Sequence, residues 1–250
     1  MTTWVDSHCH LHMAERDPAD LIERARLAGV EWMVCPGTDV AGSEASAVLA
    51  AANPGVVLAT AGLHPHDASE WSDQRDRIES LAAGASAVGE CGLDFYRNLS
   101  PPDVQREAFR DQLALARDLD KPVIVHCRDA FTEVYEDIEQ SGHHRVVLHC
   151  WTGGPKWTRR FDDLGVTFSF AGPVTFEGGD TVRLAAAVVP RDRTIVETDT
   201  PYLTPPPDRK SPNEPANVVL VGAALAEVWD TTVAEVARLT TAEATRVFRG

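Results

Sequence analysis

No stretch of this 250-residue chain approaches the run of about 18 apolar residues needed to cross a bilayer. The opening residues carry no basic segment followed by an apolar core and a small-residue cleavage site, which predicts a cytoplasmic protein without membrane association. Cysteine is sparse: Cys9, Cys35, Cys91, Cys127 and Cys150 form no C-x-x-C pair. That pattern argues against a disulfide framework and against a cysteine-type zinc module. Positive charge is also short, with 23 Lys and Arg against 38 Asp and Glu and a net charge of −15. The broad basic surface that captures duplex DNA irrespective of sequence is therefore missing. A nucleic acid held by metal ions and a few local cations stays open, and most of the excess acid reads as a solvated surface. No G-x-G-x-x-G follows the first strand-like run, which argues against an open dinucleotide-binding sheet.

What is present is alternation. Short apolar runs recur roughly every 30 residues, each followed by a polar loop and a helical segment. The strand candidates are Trp4–His8, Glu31–Pro36, Val56–Leu63, Ala85–Gly89, Pro122–His126, Arg145–His149, Val166–Phe170 and Thr194–Glu197. Most lack apolar–polar alternation, as strands buried on both faces should. Helical patterns cover Pro18–Ala28 and Gln105–Leu119, with Pro101 and Pro102 suited to the second start, then Val218–Trp229 and Val233–Phe248. Eight such units in one chain of this length predict a single-domain α/β fold, a (β/α)8 TIM-type barrel over residues 1–250. An open doubly wound sheet is the alternative. The loop Pro205–Pro212 reads as a rigid exposed segment rather than a domain boundary.

His8 and His10 flank Cys9 on the first run, and side chains two apart on a strand share a face. Glu90, His126, His149 and Asp199 each lie at the C-terminal end of a later run. In a barrel those ends open on one face, where catalytic groups collect. Four imidazoles and two carboxylates exceed the needs of one tetrahedral ion and match a two-metal site, in which a carboxylate bridges ions about 3.5–4 Å apart. Glu90, midway in strand order between the histidine sets, is the expected bridge. The cysteines that adjoin these residues are expected to face outward under the helices as small hydrophobes.

The segments VDSHCHLH, GLHPHD, AVGECGLDFY, KPVIVHCRDA, HCWTGG, ETDTPYLTP and NEPANV run through the chain in order. Together they resemble the TatD-like metal-dependent hydrolases of the amidohydrolase superfamily. The resemblance implies metal ligands at His8, His10, Glu90, His126, His149 and Asp199. It also implies phosphodiester hydrolysis dependent on two divalent ions (Mg2+, Mn2+ or Zn2+), as a 3'-5' exodeoxyribonuclease acting on single-stranded DNA or DNA ends. A metal-dependent amidohydrolase or esterase on a small molecule is the alternative enzyme reading, and a metal-holding interaction protein the non-catalytic one. Oligomeric state is left open.

Individual roles follow from chemistry. Asp199 either orients the attacking water and accepts its proton or serves as a ligand alone. His64 binds the scissile phosphate or supports a neighbour, and His66 reads as a loop or supporting residue. Arg128 shares a face with His126 and either forks onto phosphate or pairs with Asp94 or Asp129. Trp151 either stacks a nucleobase at the barrel mouth or packs as a core-lid aromatic. His143 and His144 read as solvent-exposed. Three departures from the family pattern stand out: His12 where an aspartate is usual, Trp151-Thr152 for Phe-Ser, and Pro212 for an arginine. Arg209 or Lys210 is available to replace that lost cation.

Overall fold

The protein is described by a computed structural model covering residues 2–250. Eight parallel strands, β1 (Trp4–Asp6), β2 (Val30–Cys35), β3 (Val57–Ala61), β4 (Ala87–Asp94), β5 (Val123–Arg128), β6 (Val146–Leu148), β7 (Thr167–Phe170) and β8 (Thr194–Val196), pair in sequence order. The seam between β8 and β1 is closed by backbone bonds from Ser7 N–H to the Val196 carbonyl (3.0 Å) and from Asp199 N–H to the His8 carbonyl (2.9 Å). Helices α1 (Pro18–Leu27), α2 (Val40–Ala52), α3 (Trp71–Gly84), α4 (Pro102–Asp118), α5 (Phe131–Ser141), α6 (Pro155–Asp162), α7 (Asp180–Ala186), α8 (Val218–Val228) and α9 (Val233–Arg249) complete the chain. This is the (β/α)8 barrel. Local signals start several helices: Asp17 caps α1 by accepting Ala19 N–H, Thr232 caps α9, and Pro102 occupies the first turn of α4. No single helix among the described residues is long and apolar enough to span a membrane.

Two apolar layers result. Val5, Trp32, Val34, Ala87, Ile124, Val147 and Ile195 fill the barrel interior together with Val247 and Phe248 of α9. Trp4, Met33, Val88, Val125, Leu148 and Val196 form the outer layer beneath helix side chains such as Phe109, Leu113, Val221 and Leu225. α9 lies across the N-terminal end of the barrel. Arg249 there donates to the Gly55 carbonyl and Arg145 to that of Val247, so the opposite, C-terminal end is the open mouth.

Two departures from regular strands aim the mouth residues. β1 stops at Asp6 rather than His8: Asp6 Oδ1 accepts the His8 N–H at 3.3 Å, and pairing resumes only at Cys9 against Thr200. Because Val5 faces inward, unbroken alternation would have turned His8 outward; the break resets the phase and leaves Cys9 in the outer layer. β4 does not end at Gly89 but runs on to Asp94 with a bulge inside it. Val88 pairs with Val123 and Cys91 with Val125, three steps along β4 against two along β5. Ala87 points in, Val88 and Cys91 point out, and the extra residue turns Glu90 inward.

Glycine permits this course at Gly89 (φ 121°) and Gly92 (φ 133°). A Cβ on Gly92 would stand 2.1 Å from the His126 carbonyl oxygen. Gly92→Ala is therefore expected to cost at least about 2 kcal/mol of stability, seen as a lower urea midpoint with an unchanged slope. An unshifted midpoint would show that β4 and β5 separate freely there.

Candidate metal centre

Glu90 is 3% exposed and lies at the centre of the mouth, with its two oxygens facing different histidines. Oε2 stands 3.2 Å from His8 Nε2 and 3.6 Å from His10 Nε2. Oε1 stands 3.1 Å from His126 Nδ1, 3.2 Å from His149 Nε2 and 3.4 Å from His64 Nε2. Asp199 approaches only the first group, with Oδ1 3.5 Å from His10 Nε2 and 3.8 Å from His8 Nε2. Regular alternation delivers two of these rings: His126 follows inward Ile124 by two residues, and His149 follows inward Val147. Asp199 sits beyond β8 at φ 58°, in the left-handed region where aspartate and asparagine are tolerated. Asn213 donates to the carbonyls of Thr198 and Tyr202 on either side and fixes that turn.

Burial opposes ionisation of Glu90, yet the surrounding His149, His64 and His8 hold it well below the usual carboxylate range. Burial and the neighbouring His149 push His8 down, so its imidazole stays neutral. The Nε2 atoms of His8 and His10 are 3.1 Å apart and both face carboxylate oxygens. Imidazole nitrogens and carboxylate oxygens directed at one spot are the donor set of a borderline divalent cation. The residues fit a metal.

A family model for TatD related DNase matches residues 5–249. The chain belongs to the TatD-related DNase family. Membership places it among hydrolases of ester bonds that use divalent metal. It is 36% identical over 251 residues, 98% of each chain, to the metal-dependent hydrolase YabD of Bacillus subtilis (strain 168). It is 37% identical over 245 residues, 94% of each chain, to the 3'-5' ssDNA/RNA exonuclease TatD of Pectobacterium atrosepticum. The crystal structure of YJJV, a TatD homologue from Escherichia coli K12, matches with a TM-score of 0.92 at 26% identity, covering 99% of this chain and 98% of that one.

Behind the rings of this TatD-family chain stand two carboxylates that the motifs alone do not single out. Glu197, fully buried, accepts from His149 Nδ1 at 2.9 Å, from Cys150 N–H at 2.8 Å and from Ser169 Oγ at 2.5 Å. Asp94 faces His66 Nε2 at 2.8 Å and His126 Nε2 at 3.3 Å, while its other oxygen accepts the N–H groups of Tyr96 and Arg97. Glu197 was legible, since it follows inward Ile195 by two residues and precedes Asp199 by two. Asp94 was concealed because β4 was expected to stop five residues earlier. His66 is thus a supporting residue bound to Asp94.

Of the two readings of Trp151 the core one holds: it is 1% exposed, packs on Phe131, Phe161 and Phe168, and donates to Thr158. The left-handed turn at Cys150 (φ 44°) sends it into the outer layer. Cys150 itself is only half-buried and lies outside the apolar layer that holds Cys9, Cys91 and Cys127. His143 is buried, whereas His144 is exposed as expected. Arg128 pairs with neither Asp94 nor Asp129 among the described contacts; its guanidinium lies 4.2 Å over the Tyr96 ring at the rim. Arg209 covers the Phe176 ring at 3.5 Å, and His12 turns Nδ1 toward Cys35 Sγ at 3.4 Å.

Proposed function

We propose that this chain is a nuclease using two divalent ions to remove nucleotides from the 3' end of single-stranded DNA. The observation that carries the reading is that Glu90 meets histidines with both oxygens, Oε2 facing His8 and Oε1 facing His126 and His149. His8, His10, Asp199 and Glu90 Oε2 would hold one ion, and His126, His149 and Glu90 Oε1 the other. Bound there, the ions supply charge neutralisation at the phosphate and lower the pKa of a nearby water toward neutrality. Zinc suits four imidazoles, while the working ion is magnesium or manganese. The single-stranded substrate and the 3'-5' direction are supported by the Pectobacterium relative, a 3'-5' ssDNA/RNA exonuclease. Glutamate rather than lysine at the bridge separates this site from carboxylated-lysine hydrolases of small amides. A cytoplasmic setting is supported by five free thiols.

The chain's own groups divide the work. Asp199 orients the attacking water and takes its proton. His64 Nδ1 accepts the His66 N–H at 3.2 Å, so Nε2 carries the ring proton. Burial holds the His64 pKa down to about 4, which keeps it a neutral donor for a phosphate oxygen. Arg128 meets the flanking phosphate at the rim.

Glu197 keeps the ligating nitrogen of His149 pointed inward by holding Nδ1. Glu197→Gln is expected to weaken metal binding by about 10- to 100-fold in a competition titration, with the barrel intact. Affinity equal to wild type would remove Glu197 from the support of the site. The function itself is tested by chelating the protein, restoring Mg2+, Mn2+ or Zn2+, and assaying end-labelled single-stranded DNA, RNA, a phosphodiester chromogen and small amides. Metal-restored shortening of 5'-labelled DNA supports the proposal; turnover of amides alone overturns it.

A further inference from the structure

Trp151 cannot receive a base, yet the mouth exposes other apolar surface. Among the described residues nine large hydrophobic side chains are exposed, and four of them (Met13, Tyr96, Leu99 and Tyr202) lie on segments following β1, β4 and β8 at the mouth. They fall in two groups at that one end of the barrel, Met13 beside Tyr202 and Tyr96 with Leu99 on the segment after β4. Tyr96 is 62% exposed even though the Arg128 guanidinium covers its ring at 4.2 Å. Tyr202 is 53% exposed, with its ring centroid 6.1 Å from that of His10 and its hydroxyl 4.0 Å from Met13 Sδ. Both backbones are pinned to the centre: Asp94 Oδ1 accepts the Tyr96 N–H at 3.0 Å, and Tyr202 N–H donates to the Asp199 carbonyl at 2.8 Å.

In a ring of eight strands, the β4–β5 corner lies across the barrel from the β8–β1 seam. The two tyrosines therefore flank Glu90 from opposite sides, and exposed Arg97 and Arg128 stand with the first, Arg209 and Lys210 on the loop after the second. Apolar rings interleaved with cations, on a chain otherwise strongly acidic, complement one ligand chemistry: unpaired bases on a phosphate backbone. We propose that Tyr96 beneath Arg128 and Tyr202 beside His10 are nucleobase platforms, so that a single DNA strand crosses the mouth with its scissile phosphate between them. This rests on the nuclease reading and adds the residues that grip the strand.

The test uses the metal-loaded full-length protein and a phosphorothioate-protected hexamer carrying 2-aminopurine, whose fluorescence falls on stacking, at one position in turn near its end. Wild type is expected to quench the probe at the two positions flanking the scissile linkage. Tyr96→Leu and Tyr202→Leu should each lose one of those signals and weaken hexamer binding by about tenfold or more, the range of one base–aromatic stack. Tyr202→Phe keeps the ring and should restore both. Wild-type quenching and affinity in both leucine variants, alongside normal cutting of unprotected DNA by the wild type, would overturn the platforms alone. A wild type that neither binds nor cuts the strand would overturn the nuclease reading with them.

Discussion

Glu90→Ala is expected to lose at least about 10^4-fold in kcat on single-stranded DNA, the scale seen when a group central to a catalytic constellation is removed. Its two oxygens are the shared element of both halves of the site, 3.2 Å from His8 on one side and 3.1 Å from His126 on the other. On the two-ion reading, truncation would remove a ligand from each ion at once, and it leaves five imidazoles without their common counter-charge. Metal content should fall below two ions per chain while the far-ultraviolet circular dichroism stays that of wild type. Glu90→Gln separates charge from shape and should lose nearly as much, because a neutral amide does not bridge two cations. Either variant retaining wild-type turnover at saturating metal would remove Glu90 from the reaction.

Asp199→Asn is expected to lower kcat by about 10^3-fold, within the range that a positioned general base contributes. The substitution is unusually clean. Asn tolerates the left-handed φ of 58° at least as well as Asp, and the backbone bonds to His8 and from Tyr202 are kept. Burial opposes ionisation of Asp199, but His10, His149 and His8 hold it below the usual carboxylate range, so the native group is a competent acceptor. The amide keeps an oxygen for the ion and loses the capacity to take a proton. Metal content near wild type with kcat reduced identifies the proton acceptor. Lost metal content would instead mark a purely ligating role, and full activity would exclude both.

How much of this was legible in the sequence depends on how regular each strand is. Ile124 to His126 and Val147 to His149 follow simple alternation, so their inward aim could be read from spacing. His8 reads as a site residue because it shares a strand face with His10, and Glu90 because it ends an apolar run, yet both depend on breaks in alternation that no run of letters shows. The Asp6 side chain resets β1, and an extra residue resets β4. Gly89 and Gly92 carried the only sequence signal of the second break. Spacing leaves Trp151 between mouth and core, and the turn at Cys150 decides it by sending the indole into the core. The mouth tyrosines carry no such signal, because exposure, unlike periodicity, is settled only by the neighbours.

Anomalous diffraction from a crystal soaked in Mn2+ tests most directly whether the Glu90 carboxylate divides one cluster into two ion sites. Two peaks are expected, one contacted by His8, His10, Asp199 and Glu90, the other by His126, His149 and Glu90. A single peak with Glu90 bound on one oxygen, or peaks that avoid Glu90 altogether, would contradict it.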